Sequence, residues 1–243
     1  MRTGLAATGR DGQAAAGAAL RPLDDAGGNA PRRPARQADL AKRGLDVGVA
    51  LLLLLLLLPV LAAAAAMVRL SSPGPVLLRQ VRIGRHEVPF EMLKFRTMYV
   101  GVDDGRQRSM NERELRGERD TGCGDGVFKL RDDPRVTPAG RWLRRFSIDE
   151  LPQLFNVIRG DMSLVGPRPS LPWEVELYTS EQRRRHECLP GISGLWQVSG
   201  RNRVSMPEML ELDLEYLRTR SLALDLWIMA RTPAAVLLDR SVR

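Results

Sequence analysis

Between Val47 and Val68 the chain carries no charged side chain. The stretch holds eight consecutive leucines, Leu51–Leu58, then Pro59, then the alanine run Ala62–Ala66. A run of this length and polarity covers the hydrocarbon thickness of a bilayer as a helix. It has no polar face to turn toward water, as a helix on a soluble core would. It is also too long, and begins too late, for a cleaved signal peptide. The flanks are basic, with Lys42 and Arg43 before it and Arg69, Arg79, Arg82 and Arg85 after it. The positive-inside tendency holds both ends on one side. A simple span does not satisfy that, whereas a helix that enters and returns does. Pro59 lacks an N–H and clashes with the preceding turn, so it predicts a kink near the middle. Spanning helices also tolerate proline, so these residues alone leave a re-entrant hairpin and a kinked span both open.

Residues 1–39 are rich in Ala, Gly, Pro and Arg without apolar periodicity, and read as a disordered tail. Arg32-Arg33 is not a twin-arginine export signal, because Pro34, Arg36, Asp39, Lys42 and Arg43 separate it from the apolar run. Past that run, 76–82 and 88–95 read as two short strands joined through Gly84–Glu87. Residues 101–126 are polar and glycine-containing, a mobile loop with room for a short helix at Asn111–Arg119. Pro138–Phe146 and Ser147–Ile158 read as two helical segments, the second with an apolar face of Leu151, Leu154, Phe155 and Ile158 and a stop at Gly160. Ser205-Met-Pro-Glu208 is a capping-box start to a helix reaching about Arg218, and Leu222–Leu238 is a final apolar helix suited to a membrane interface or to the core.

Net charge is +8 over 243 residues, which favours anionic partners such as nucleic acid, acidic lipid or a phosphorylated metabolite. Two well-separated cysteines and two histidines exclude a disulfide framework and a His/Cys zinc site. A catalytic metal would be hard and oxygen-bound, which favours Mg²⁺.

The richest segment chemically is Phe146-Ser-Ile-Asp149-Glu150-Leu-Pro-Gln-Leu-Phe-Asn, followed by Arg159-Gly-Asp161 and Gly166-Pro167-Arg168-Pro169. Ser147-x-x-Glu150 fits a capping box, so the carboxylates have an ordinary structural reading. Neighbours on a helix also point about 100° apart and need not share a site. The surroundings favour chemistry. Arg141, Arg144 and Arg145 precede the pair, and two prolines aim Arg168. Guanidinium forks and a helix N-terminus both suit phosphate. A carboxylate held ionised there could attack phosphorus, with its neighbour as base.

These residues resemble the bacterial sugar transferase family, the monotopic polyprenol-phosphate phosphoglycosyl transferases. The resemblance runs from Lys42 to about Leu238. It is carried by Lys42-Arg43-Gly-Leu-Asp46, Ser72-Pro-Gly-Pro75, Lys94-Phe-Arg96-Thr-Met98, Asp133-Pro-Arg-Val-Thr-Pro138, Ser147-Ile-Asp149-Glu150, Gly160-Asp161 through Arg168-Pro169, Pro190-Gly-Ile-Ser-Gly-Leu-Trp through Gly200-Arg201, and Leu212-Asp213. It implies transfer of a sugar-1-phosphate from a UDP-sugar to undecaprenyl phosphate, with release of UMP, as the first membrane-committed step of exopolysaccharide, capsule or glycan assembly. It implies Asp149 as the nucleophile of a ping-pong reaction and as a Mg²⁺ contact, with Glu150 deprotonating the polyprenyl phosphate. Lys94, Arg96, Arg144, Arg168 and Arg201 become contacts to phosphate or nucleotide. Asp213 falls in the same substrate-binding set, and Asp161 and Asp213 are expected to organise structure or metal. The family's anchor is a re-entrant helix broken at Ser-Pro; here the pair is Leu58-Pro59, which keeps the proline and loses the hydroxyl.

The expected fold is therefore α/β, α-rich with a small β-hairpin. A tail (1–39) and a re-entrant membrane helix (40–70) precede a compact cytoplasmic catalytic domain (71–243) with interfacial helices, on the inner membrane of a bacterium. The 101–126 loop is a candidate lid or oligomer contact. Expected partners are the membrane and both substrates, with self-association and downstream glycosyltransferases as further ones and no nucleic acid. The rival reading is a non-catalytic, membrane-tethered basic adaptor of a polysaccharide assembly complex. Against nucleic-acid binding stand the 5% aromatic content and arginines scattered among prolines.

Overall fold

The computed structural model describes residues 32–102, 105–116, 133–201 and 204–238. Residues 1–31 of the expected tail, and 117–126 of the expected loop, lie outside the described residues. Helix α1 (Arg32–Leu56) starts inside the segment read as tail. Pro34 does not prevent this, because the first turn has no use for its missing N–H. Helix α2 (Leu58–Ser71) follows after one non-helical residue, Leu57. The two axes bend by 65°. Backbone bonds Leu57 N–Leu53 O and Leu61 N–Leu57 O, both 2.8 Å, carry the ladder up to and past Pro59. The kink expected at Pro59 is thus present. No single described helix is long and apolar enough to cross a membrane, but the bent pair passes that test together.

Strands β1 (Leu77–Ile83) and β2 (Pro89–Phe95) form the expected antiparallel hairpin, in a register that sets Leu78 opposite Lys94 and Arg82 opposite Phe90. Helix α3 (Gly105–Leu115) begins earlier than the loop reading allowed. Helix α4 (Pro138–Arg145) starts at a Thr137 cap whose side chain accepts from Gly140 N. After it the chain departs from expectation. Residues Ile148–Glu150 form a 3-10 turn, and helix α5 starts only at Gln153, running to Arg159. Gly160 then stops it with φ 97°. Strand β3 (Ser163–Val165) pairs in parallel with β4 (Gly191–Ser193), across a crossover containing α6 (Pro172–Leu177) and α7 (Ser180–Arg183). This parallel pair was not read from the sequence, because three residues show no periodicity. It depends on glycine: a Cβ on Gly191 would lie 2.1 Å from Gly166 N. Helices α8 (Leu195–Ser199), α9 (Met206–Thr219) and α10 (Leu222–Leu238) complete the chain, with the Ser205–Glu208 capping box as expected.

Both arms of the bent pair are fixed to this same body. On α1, Asp46 accepts from Ser163 Oγ (2.8 Å) and Leu164 N (3.2 Å), and Lys42 Nζ lies 2.6 Å from Asp225. Arg43 donates to the carbonyls of Val157 and Ile158, capping the C-terminal end of α5. On α2, Ala64 and Val68 pack with Phe95 and Leu143. Leu143 is fully buried, a contribution of about 2–3 kcal/mol. These contacts correct the flank argument. Lys42 and Arg43 serve the fold, and Arg82 is buried rather than lying at a membrane surface. The elbow is exposed, including Leu51, Leu52, Leu55, Leu56 and Leu58.

Candidate active site

The carboxylate pair sits on the 3-10 turn that joins α4 to α5, and it is partly exposed. The capping-box reading fails there. Ser147 is left-handed (φ 54°, ψ 24°), and its side chain makes no cap bond; it accepts instead from Arg201. A 3-10 turn has about three residues per turn, so Asp149 and Glu150 project from a tight bend between helices. The bend packs against β2, which presents Lys94. Lys94 Nζ lies 3.6 Å from Glu150. Burial lowers the pKa of Lys94, while Glu150 and, further down, Asp149 pull it back up.

Lys94 is held in place by Asn156, a fully buried residue of α5. Its Oδ1 accepts from Leu93 N (3.0 Å), and its Nδ2 donates to Glu91 O (2.7 Å) and to Asp161 (3.1 Å). The amide therefore locks α5 to the strand on the residues just before Lys94. Asp161, which also pairs with Arg159 at 2.9 Å, has a structural role here.

Arg168 is aimed by a loop whose backbone is held at every residue. Pro167 O accepts from Gly191 N (2.9 Å), and Arg168 N donates to Asp213 (3.3 Å). Arg168 O accepts from Arg185 (2.8 Å), and Pro169 O accepts from Arg82 (3.0 Å). The guanidinium then pairs with both oxygens of Glu174, at 3.0 and 3.2 Å. Burial would raise the Glu174 carboxyl, but Arg168 and Arg82 outweigh it and hold Glu174 below the usual range. Burial, with Arg168 as the next cause, lowers Arg82 to about 9. Three cations, Arg82, Lys94 and Arg168, thus crowd beside the carboxylate turn in a poorly solvated setting. A phosphate arriving there would relieve the repulsion between Arg82 and Arg168.

The other expected site residues divide. Arg144 hydrogen-bonds Thr97 Oγ1 at 2.9 Å, one turn upstream of Asp149. Arg201 meets Ser147 at the start of the carboxylate turn. Arg96 has a different task from the substrate contact expected of it. Its guanidinium is buried on the carbonyls of Val68, Ser72 and Pro73, where it ties off the C-terminal end of α2. Asp213 is fully buried and not placed for the substrate contact expected of it; it binds Arg185 and the Arg168 amide, so it shapes the loop from beneath. Arg82, Glu174, Arg185 and Asn156 were missed. Arg82 read as a membrane flank, and nothing local distinguishes Arg185 within the Arg183–Arg185 run.

Among the described residues no group of three or more His, Cys, Asp or Glu could hold a metal ion. The Asp149–Glu150 donor set nevertheless fits Mg²⁺, which binds through one or two carboxylates and completes its shell with water and substrate phosphate. Met67, Leu70 and Ser71 of α2 with Pro138, Ala139 and Trp142 of α4 line an open, mostly apolar groove of about 460 Å³ that includes none of the site residues.

Residues 37–239 match the profile of the bacterial sugar transferases. The chain is 40% identical over 205 residues to the galactosyl transferase CpsE of Streptococcus agalactiae, covering 84% of this chain and 44% of that protein. It is 42% identical over 206 residues to the exopolysaccharide production protein ExoY of Rhizobium meliloti, covering 83% and 87%. It is 41% identical over 226 residues to the UDP-glucose:undecaprenyl-phosphate glucose-1-phosphate transferase of Caulobacter vibrioides, covering 90% and 75%. The chain thus spans less than half of the first relative and most of the other two. With a profile match across Asp149, Glu150 and Arg168 and relatives at this identity, the chain belongs to the bacterial sugar transferase family.

Proposed function

We propose that this chain transfers a sugar-1-phosphate from a UDP-sugar to undecaprenyl phosphate and releases UMP. The observation that carries the reading is the Asp149–Glu150 turn set among Arg82, Lys94 and Arg168. An ionised carboxylate among cations is equipped for attack at phosphorus, and a non-catalytic adaptor has no use for that arrangement. In the first step an Asp149 oxygen forms a bond to the sugar-bearing phosphorus. The bond from that phosphorus to the UMP oxygen breaks, and UMP leaves with the electron pair. In the second step an oxygen of undecaprenyl phosphate attacks the same phosphorus, and the Asp149 carboxylate is released. Glu150 takes the proton from the acceptor phosphate, with Lys94 beside it to balance the charge. Arg168, rigid between its prolines, orients the diphosphate. Asp149 would hold Mg²⁺ together with substrate phosphate oxygens, and the ion supplies charge neutralisation for the diphosphate.

The membrane part of the reading is a re-entrant hairpin on the cytoplasmic face of the bacterial inner membrane. Its support is that α1 and α2 are both anchored in one body, which keeps their outer ends on one side. From buried Ala50 to Leu57, and back from Leu58 to buried Ala64, each free arm rises about 10 Å at 1.5 Å per residue. That is less than half of a hydrocarbon core of about 30 Å. A site at headgroup level can meet a soluble anionic donor and a lipid-borne phosphate. The Rhizobium meliloti relative is named as an exopolysaccharide production protein, and that supports a product that enters exopolysaccharide assembly.

The test is UMP release by nanodisc-embedded protein given Mg²⁺, undecaprenyl phosphate and a panel of UDP-sugars. Release with one sugar is expected, and Asp149→Asn should abolish it. Release that survives Asp149→Asn would refute the covalent step, and no release with any donor would favour the adaptor.

A further inference from the structure

Behind the catalytic turn, two non-glycine residues hold left-handed backbone and touch each other. Ser147, two residues before Asp149, has φ 54° and ψ 24°. Arg201 has φ 50°. L-residues keep such conformations only where their surroundings over-determine them. Arg201 Nη2 donates to Ser147 Oγ. Its Nη1 donates to the carbonyls of Ala235 (3.2 Å) and Val236 (3.5 Å). Those carbonyls belong to the last turn of α10, which ends at Leu238. Helix α10 is itself fixed in the core by Ile228 and by Asp225, which accepts from Tyr216 at 2.7 Å. On the other side of Ser147, its carbonyl accepts from Glu150 N at 3.2 Å, closing the turn that carries both carboxylates. A line of contacts therefore runs from a buried helix, through one planar side chain, to the residue that sets the direction of the catalytic turn.

We propose that Arg201 is a positioning residue for the nucleophile, acting through the Ser147 hydroxyl rather than on the substrate phosphate. Guanidinium and hydroxyl together hold the 147–150 turn in the one conformation that presents Asp149 to phosphorus. This rests on Asp149 being the nucleophile. It reassigns Arg201 from the phosphate contact implied by the family resemblance, and it gives the left-handed Ser147 a function.

The test uses the full chain in nanodiscs, with the UDP-sugar that wild type turns over. Ser147→Ala and Arg201→Lys are each expected to lower kcat about tenfold with little change in KM, the scale of one hydrogen bond to a charged group. The double variant should be no slower than the slower single, because both changes break one bond. Without substrate, amide hydrogen exchange across 147–151 should rise in both variants while β2 stays protected. Additive losses, or a raised KM with unchanged kcat and unchanged exchange, would assign Arg201 to the substrate and overturn the proposal. Ser147→Gly separates folding from positioning, since glycine accepts the backbone angle but has no hydroxyl. A well-folded Ser147→Gly as slow as Ser147→Ala supports the strut, and a wild-type rate sinks it. Asp149→Asn runs beside these. If it still turns over, the nucleophile reading itself has failed; if it is dead while Ser147→Ala is fully active, only the strut has failed.

Discussion

Replacing Asp213 by asparagine isolates what holds the Arg168 loop in place. Arg185 and Asp213 are both fully buried and form a direct ion pair. Burial pushes the Asp213 carboxyl up to about 6, against the pull of Arg185, so at pH 7 it is ionised and paired. Removing one partner leaves a buried charge uncompensated, a loss of about 3–5 kcal/mol. Arg185 keeps Tyr178 Oη (2.9 Å) and Arg168 O (2.8 Å), and asparagine keeps one acceptor. The lower end, about 3 kcal/mol, is therefore expected. For a chain of this size that is a fall of about 9 °C in Tm, read by tryptophan fluorescence in nanodiscs. Turnover should fall as well, since the Arg168 amide donates to the same carboxylate. Asp213→Leu with Arg185→Met supplies the control. It removes both charges, so most of the stability should return. Activity should not, because Arg168 then lacks both its acceptor and its donor. A shift under about 2 °C for Asp213→Asn, or a double variant no more stable than the single, would refute the reasoning.

Three further outcomes follow from particular contacts. His186 hydrogen-bonds Ser170 at 3.1 Å, and burial, with Arg185 and Arg183 next, lowers it to about 3. A histidine kept neutral by folding contributes stability that is complete above its unfolded pKa and is lost as pH falls toward the folded one. Between pH 6.5 and 5 the loss is about 2 kcal/mol, and His186→Gln should flatten that part of a Tm-against-pH curve; an unchanged slope would exclude His186 as its source. In Gly140→Ala the new Cβ would lie 2.1 Å from Thr97 O and 2.8 Å from Thr97 Cα. Backbone cannot yield there, so a loss of about 1–3 kcal/mol and slower turnover through displaced Arg144 are expected, and a wild-type Tm would contradict the close approach. Leu40→Cys and Leu70→Cys, with Cys123 and Cys188 replaced by serine, flank the bent helix pair at exposed positions. An impermeant maleimide should label both only from the cytoplasmic face, and labelling from opposite faces would rule out the re-entrant hairpin.

Several features of this protein could be read from a single stretch of sequence. The uncharged run and the kink at Pro59 are local facts of composition and of a missing N–H. The hairpin strands were legible as two short apolar-rich runs joined through Gly84–Glu87, and Gly160 and the Ser205–Glu208 box end and start helices with their own side chains and backbone angles. The Asp149–Glu150 pair and the proline-flanked Arg168 were visible because their chemistry is unusual in so short a span. Tertiary structure decided the rest. Ser147-x-x-Glu150 has the letters of a capping box, yet Ser147 is left-handed, its hydroxyl accepts from Arg201, and the segment is a 3-10 turn. Arg82, Arg96 and Arg185 are indistinguishable from surface arginines in sequence, because burial is set by distant partners: Pro169, 87 positions from Arg82, Ser72, 24 from Arg96, and Arg168, 17 from Arg185. Three-residue strands carry no period, so β3 and β4 exist only as a pair. Local propensity speaks within a turn or two of the chain, whereas the charges that meet at this site come from β1, β2, the α4–α5 turn and the loop after β3. Only the packing of those elements brings them together.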